Sequence, residues 1–173
     1  YIELYNSLDN LEDNYFSLNF SNTYFSEFNC KKIGYIRENI ESNYINGELN
    51  TRERAVLITS LLYAMDKIAN TVGHYDAYRK NGNLDRTLEL CMLDLKSNTN
   101  NKNNKVFNED SNELVRKIKA DVVYIDPPYN SRQYSDAYHL LENVAMWEKN
   151  EVFGVAKKME RNGIKSKYCS VSA

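Results

Sequence analysis

Asp126, Pro127, Pro128 and Tyr129 form the run DPPY, and its two prolines are the only ones in the chain. Proline has no backbone N–H and holds the residue before it extended. Two in a row end a strand, stiffen the turn and leave local carbonyls without competing donors. Asp126 adds a carboxylate acceptor and Tyr129 a flat aromatic face. The set suits a planar heterocycle with an exocyclic amino group. That group would donate to the Asp126 carboxylate and to the Pro127 carbonyl, while the ring stacks on Tyr129. Both hydrogen bonds draw the nitrogen lone pair out of conjugation and aim it at an electrophile. Rigidity matters because transfer needs close alignment. The plainer alternative is a strand-ending turn with a buried tyrosine.

The neighbouring elements say how such a loop would be held. KVF, residues 105–107, reads as a short strand. NEDSNELVRKIKA reads as a helix with Asp110 as N-cap and Glu113 at its third position. DVVYI, residues 121–125, is β-branched and apolar without alternation, as expected of a strand covered on both faces. The order β-α-β predicts parallel strands and a right-handed crossover, and ligands bind beyond the carboxyl ends of such strands. DAYHLLENVAMW predicts a further helix. Upstream, IELYNSLDNL, KKIGYIRENIESNYI and RERAVLITSLLYAMDKIAN show helical spacing. The last is predicted to be capped by Asn50 with Glu53 as its capping-box partner, and to be buried nearly all round. GHYDAYRKNGN follows as a loop. LELCMLDL is open between strand and short helix, and KSNTNNKNNK reads as a flexible low-complexity loop. The expected organisation is a mostly helical region over 1–100 and a partial α/β region over 101–173.

Composition narrows the class. Hydrophobic residues make up 42% of 173, enough for a core, and no apolar run approaches a membrane span. Cys30, Cys91 and Cys169 contain no CxxC pair, which argues against a disulfide scaffold or a zinc site and for a reducing, cytoplasmic setting. A net charge of −2 does not announce a nucleic-acid binder. Contact with nucleic acid would need a local patch. The candidate is KKMERNGIKSK, from Lys157 and Lys158 onward, with five basic residues against one acidic; a solvated face is the equal alternative.

DPPY resembles the catalytic motif of S-adenosylmethionine-dependent methyltransferases that modify amino groups of DNA bases, in the form typical of adenine. YIDPPYNSRQYSDAYHLLENVA, GVAKKMERNGIKSKYC and NTVGHYDAYRK are similar to a Dam-like subgroup of adenine-specific DNA methyltransferases. The resemblance implies an α/β fold: a partial Rossmann-like class I methyltransferase sheet with a largely helical target-recognition insertion. It implies that Asp126, Pro127, Pro128 and Tyr129 hold an adenine flipped from the duplex, and that the methyl group passes directly to its amino nitrogen. Asp110 is the candidate contact to S-adenosylmethionine, alongside its role as N-cap. Asn130, Ser131, Arg132, Gln133 and Tyr134 are expected to face DNA or the cleft, with Arg132 on a phosphate. His74 and Tyr75 join them as candidate DNA-side residues, whereas His139 is expected to be a structural hydrogen-bonding residue. The implied partners are double-stranded DNA and a cognate restriction endonuclease; no metal is implied.

The sequence also departs from that pattern. None of its six glycines forms an FxGxG-like cofactor loop, and the acidic residue expected after a second strand is absent. The chain is therefore expected to be a piece of a longer protein, weak or inactive alone. Two other readings stay open. One is a different amino methylation, of cytosine, where SPPY is usual, or of RNA or protein amide groups, where NPPY is usual; Asp126 speaks against both. The other is a non-catalytic DNA-binding remnant of a restriction-modification protein.

Overall fold

The computed structural model of the chain describes residues 1–95, 103–126 and 133–160. Helices α1 (Ile2–Asn6), α2 (Tyr15–Phe20), α3 (Glu27–Ile45) and α4 (Thr51–Ile68) come first. They are followed by α5 (Ser111–Lys117), α6 (Tyr134–Ala137) and α7 (His139–Met146), and by strands β1 (Val152–Phe153) and β2 (Lys158–Met159). The chain divides into two compact units, one of residues 1–93 and 128–173, the other of residues 94–127.

The larger unit is built on α3 and α4. Ile33, Ile36 and Ile40 recur at helical spacing on α3 and are fully buried with Phe16, Phe20, Tyr24, Leu61 and Met65. Each such side chain contributes roughly 1.5–3 kcal/mol by leaving water. Asn50 caps α4 in a complete capping box with Glu53, as the sequence predicts. α4 is buried on one face only: Leu57, Leu61, Ala64, Met65 and Ile68 point inward while Tyr63 is 67% exposed. The expectation of burial nearly all round is corrected, because a helix at the edge of a small core has one neighbour face to bury against.

α2 has a capping box of its own. The Asn14 side chain accepts from the Phe16 and Ser17 N–H groups and donates to Lys31 O at 2.9 Å. This brings the start of α2 so close to α3 that a Cβ at Gly34 would collide with the Asn14 amide. Fully buried Arg37 closes the far end of the unit. Its Nε donates to Val144 O at 2.8 Å and its Nη2 to Ala145 O at 3.4 Å, satisfying carbonyls at the end of α7. Glu41 accepts from both Arg37 and Arg54 at 2.7 and 2.8 Å, joining α3 to α4.

LELCMLDL is neither strand nor helix. Over residues 86–91 burial alternates, with Leu88 and Leu90 buried in the core and Glu89 exposed between them. Two asparagine side chains replace a neighbouring strand. Asn29 accepts from Leu88 N–H at 3.1 Å and donates to Arg86 O at 2.6 Å. Asn6 accepts from Leu90 N–H and donates to Leu90 O, both at 2.9 Å.

In the smaller unit, α5 forms where predicted. Asp110 caps it, its Oδ1 accepting from Asn112 and Glu113 N–H at 2.8 and 3.3 Å. The predicted strands at 105–107 and 121–125 do not pair in the described residues, and the only sheet there is the antiparallel hairpin β1-β2. The expected β-α-β sheet is therefore corrected, among the described residues, to a helix between flanks with no assigned strand. Val106 is 98% and Val122 85% exposed. A strand gains its ladder and its apolar cover from neighbours, and these flanks have none among the described residues. The predicted helix at 136–147 is broken at Tyr138 into α6 and α7. No helix among the described residues is long and apolar enough to cross a membrane.

Candidate functional site

Three segments meet in the larger unit: the loop at 74–76, helices α6 and α7, and the β1-β2 hairpin. Tyr75 is the backbone hub. Its N–H donates to Ala137 O at 2.7 Å. Its carbonyl receives the Tyr24 hydroxyl at 2.5 Å and His139 Nε2 at 2.8 Å. A carbonyl can only accept, so Nε2 carries the proton and Nδ1 the lone pair. Nδ1 is buried without a hydrogen-bond partner among the described residues. Burial pushes the His139 pKa down, against a smaller upward pull from the Tyr75 carbonyl, so the neutral ring is favoured. The Tyr24 hydroxyl also lies 3.0 Å from Ala156 O in the hairpin turn. Burial raises the Tyr24 and Tyr75 hydroxyls well above the ordinary phenol range, so both stay neutral donors.

An ion-pair cluster covers the hub. Lys158 Nζ lies 2.5 Å from Asp76 Oδ1 and 3.3 Å from Asp136 Oδ1, with all three side chains about one-fifth exposed. Asp76 N–H donates to His74 Nδ1 at 3.3 Å.

These contacts place several of the predicted site residues. Tyr75 is 1% exposed and its hydroxyl pairs with Asp66 at 3.2 Å. A ring so buried cannot present a face to DNA, so here Tyr75 packs and anchors. Lys158 is engaged by two carboxylates, whereas Lys157 sits beside it in the turn at φ +55° with no carboxylate in ion-pair range among the described residues. His74 stays partly exposed at the lip of the loop. Tyr134 opens α6, 53% exposed, its ring 6.0 Å from that of Tyr138. Gln133 is the N-cap residue of α6. In the other unit, Asp126 is exposed at the end of the 121–126 segment, and Asp110 holds its place as helix cap. Pro127, Pro128, Tyr129, Asn130, Ser131 and Arg132 lie outside the described residues, as do the low-complexity stretch at 96–102 and the basic residues beyond Glu160. His139 is the structural hydrogen-bonding residue the sequence suggests. Tyr24, Asp76 and Asp136 were missed as members of the cluster. Asp76 and Asp136 lie inside the family-like segments, but nothing in the sequence marked Tyr24.

A family profile described as D12 class N6 adenine-specific DNA methyltransferase matches residues 1–172. The chain belongs to this family. Its relatives include modification methylase StsI of Streptococcus sanguinis, 44% identical over 94% of this chain and 26% of that protein. Type II methyltransferase M.FokI of Planomicrobium okeanokoites is 36% identical over 84% of this chain and 23% of its own length. Type II methyltransferase M.NlaIII of Neisseria lactamica is 35% identical, over 86% of this chain and 44% of that protein. The chain thus spans about a quarter of the first two relatives. No solved structure matches it. The resemblance drawn from DPPY and its flanking segments holds for a D12-class chain, and adenine is the base the family description names.

Proposed function

We propose that this chain carries the base-binding part of a DNA adenine-N6 methyltransferase that acts within a restriction-modification system in the cytoplasm. The observation that supports it most is an intact DPPY run in a chain matched to the D12 class over 1–172. In this reading double-stranded DNA is the substrate and the target adenine is flipped out of the stack. The Asp126 carboxylate accepts one amino N–H, the Pro127 carbonyl accepts the other, and Tyr129 stacks on the ring. S-adenosylmethionine, when bound, supplies an electrophilic methyl group. Asp126 or water takes the proton that the amino nitrogen loses as it gains the methyl.

Asp110 fits the donor as a carboxylate fixed in direction by its cap bonds to Asn112 and Glu113. It is one contact; the glycine loop expected of such a pocket is not in the sequence. We therefore assign the remaining cofactor contacts to chain beyond these residues, in a class I, Rossmann-like sheet. Arg132, Asn130, Ser131, Gln133, Tyr134, His74 and Lys157 form the proposed DNA side, and a cognate endonuclease is the proposed functional partner.

The test is transfer of labelled methyl from S-adenosylmethionine to DNA by a chain extended to family length, followed by nucleoside analysis. Label in N6-methyladenine is expected, and Asp126→Ala should lower kcat by at least about a thousandfold while DNA binding persists. DNA binding with no transfer by the unaltered protein would instead favour the non-catalytic reading. Label in cytosine would overturn the base assignment.

A further inference from the structure

Lys158 lies in a basic run, and a phosphate contact is the role its sequence suggests. Its surroundings favour another. Its ammonium sits between Asp76 Oδ1 at 2.5 Å and Asp136 Oδ1 at 3.3 Å. Those carboxylates belong to the 74–76 loop and to the short helix α6. The same two elements are joined by Tyr75 N–H to Ala137 O at 2.7 Å. The hairpin that carries Lys158 is tied to them again by Tyr24, whose hydroxyl reaches both Tyr75 O and Ala156 O. Three elements distant in sequence are thus locked at one point by one backbone bond, the Tyr24 hydroxyl and a shared cation. Without Lys158 the two carboxylates lose the cation they share, and like charges in such a setting push apart.

We propose that Lys158 is a positioning residue for methyl transfer rather than a DNA contact. It clamps α6, the first described helix after Tyr129 in the chain, against the Asp76 loop, and in sequence that helix follows the DPPY run. The inference rests on the proposed methyltransferase activity. A displacement of about 1 Å in such a frame can cost about a hundredfold in rate, whereas a lost phosphate contact weakens binding and lowers its salt dependence.

The test uses the family-length protein, with kcat, KM for DNA and the slope of log binding constant against log salt measured for each variant. Lys158→Met is expected to lower kcat at least about tenfold, with KM and salt slope held. Lys158→Arg, which keeps a cation between the carboxylates, is expected to restore most of the rate. Asp136→Asn keeps the lysine and loosens the clamp, so it should lower kcat without tightening DNA binding. Lys157→Met serves as the contrast and should reduce the salt slope by about one. A Lys158→Met protein with unchanged kcat and a shallower salt slope would overturn the inference. So would an Asp136→Asn protein that binds DNA more tightly at full kcat, because a freed lysine would then be reaching phosphate. Should Lys158→Met fail to fold, the Asp136→Asn and Lys158→Arg measurements still decide. Absence of transfer by the unaltered protein would sink the proposed activity and is read separately from these ratios.

Discussion

Residues 88–91 and 122–125 are both apolar runs outside any helix or strand, yet one is part of the core and the other is bare. By composition the order should be reversed. VVYI has the stronger β character, while LELC mixes a glutamate into leucines. Leu88 and Leu90 are at most 2% exposed, whereas Val122 is 85% and Ile125 78% exposed. The difference lies in partners. The first segment finds Asn29 and Asn6, whose amides mimic the donor and acceptor of a neighbouring strand, and an apolar floor from α3 and α4. The second finds neither among the described residues. An apolar or β-branched run is a property of the local sequence, but a strand is a property of its neighbours.

The contrast can be broken most sharply by truncation. Leu90→Ala should lower stability by about 3 kcal/mol, while Val122→Ala should change it by less than about 0.5 kcal/mol. Urea denaturation of the two variants measures both, and equal losses would refute the contrast. Next in size is the asparagine. Asn29→Ala leaves Leu88 N–H and Arg86 O without their partner and should cost about 2 kcal/mol; Asn29→Leu, which fills the space but not the bonds, should not recover it.

The smallest expected effect lies at a buried polar residue, His139. Its folded pKa lies below the ordinary 6.5 because burial opposes the charge; Lys158 pushes the same way and Asp76 the other. Above pH 6.5 the ring is neutral in both folded and unfolded chains. Below it the unfolded chain takes up a proton that the folded chain refuses, so stability falls as pH drops toward the folded value. The contribution is at most about 1.4 kcal/mol per pH unit. His139→Gln, which can still donate to the Tyr75 carbonyl, should flatten the stability profile between pH 6.5 and 5. An unchanged slope would mean that His139 does not titrate in that range.

Helix caps were legible because the information is local. Asn50 with Glu53, and Asp110 with Glu113, announce helix starts within four letters, and both formed. The cap at Asn14 was equally local but was missed, since α2 has only six residues and carries too little periodicity to draw attention. The break at Tyr138 was not legible: Tyr75 takes the Ala137 carbonyl that would otherwise accept within the helix, and that contact joins residues far apart in sequence. The candidate site divides in the same way. DPPY could be recognised because its chemistry sits in consecutive residues. The clamp of Asp76, Asp136 and Lys158 could not, because it exists only once three distant segments meet. The basic run suggested DNA for both Lys157 and Lys158, and charge alone could not separate neighbours of which Lys158 is the one that meets carboxylates among the described residues.

The uncovered apolar run at 122–125 also bears on how this chain behaves in a test tube. Short, β-branched, uncharged and open to solvent, it has the makings of a cross-β seed at high concentration. Asp121 and Asp126 stand at its two ends, where a charge hinders stacking of one copy on another. Replacing Asp126 by alanine therefore removes a gatekeeper as well as a proposed ligand for adenine, and light scattering should accompany every assay of that variant.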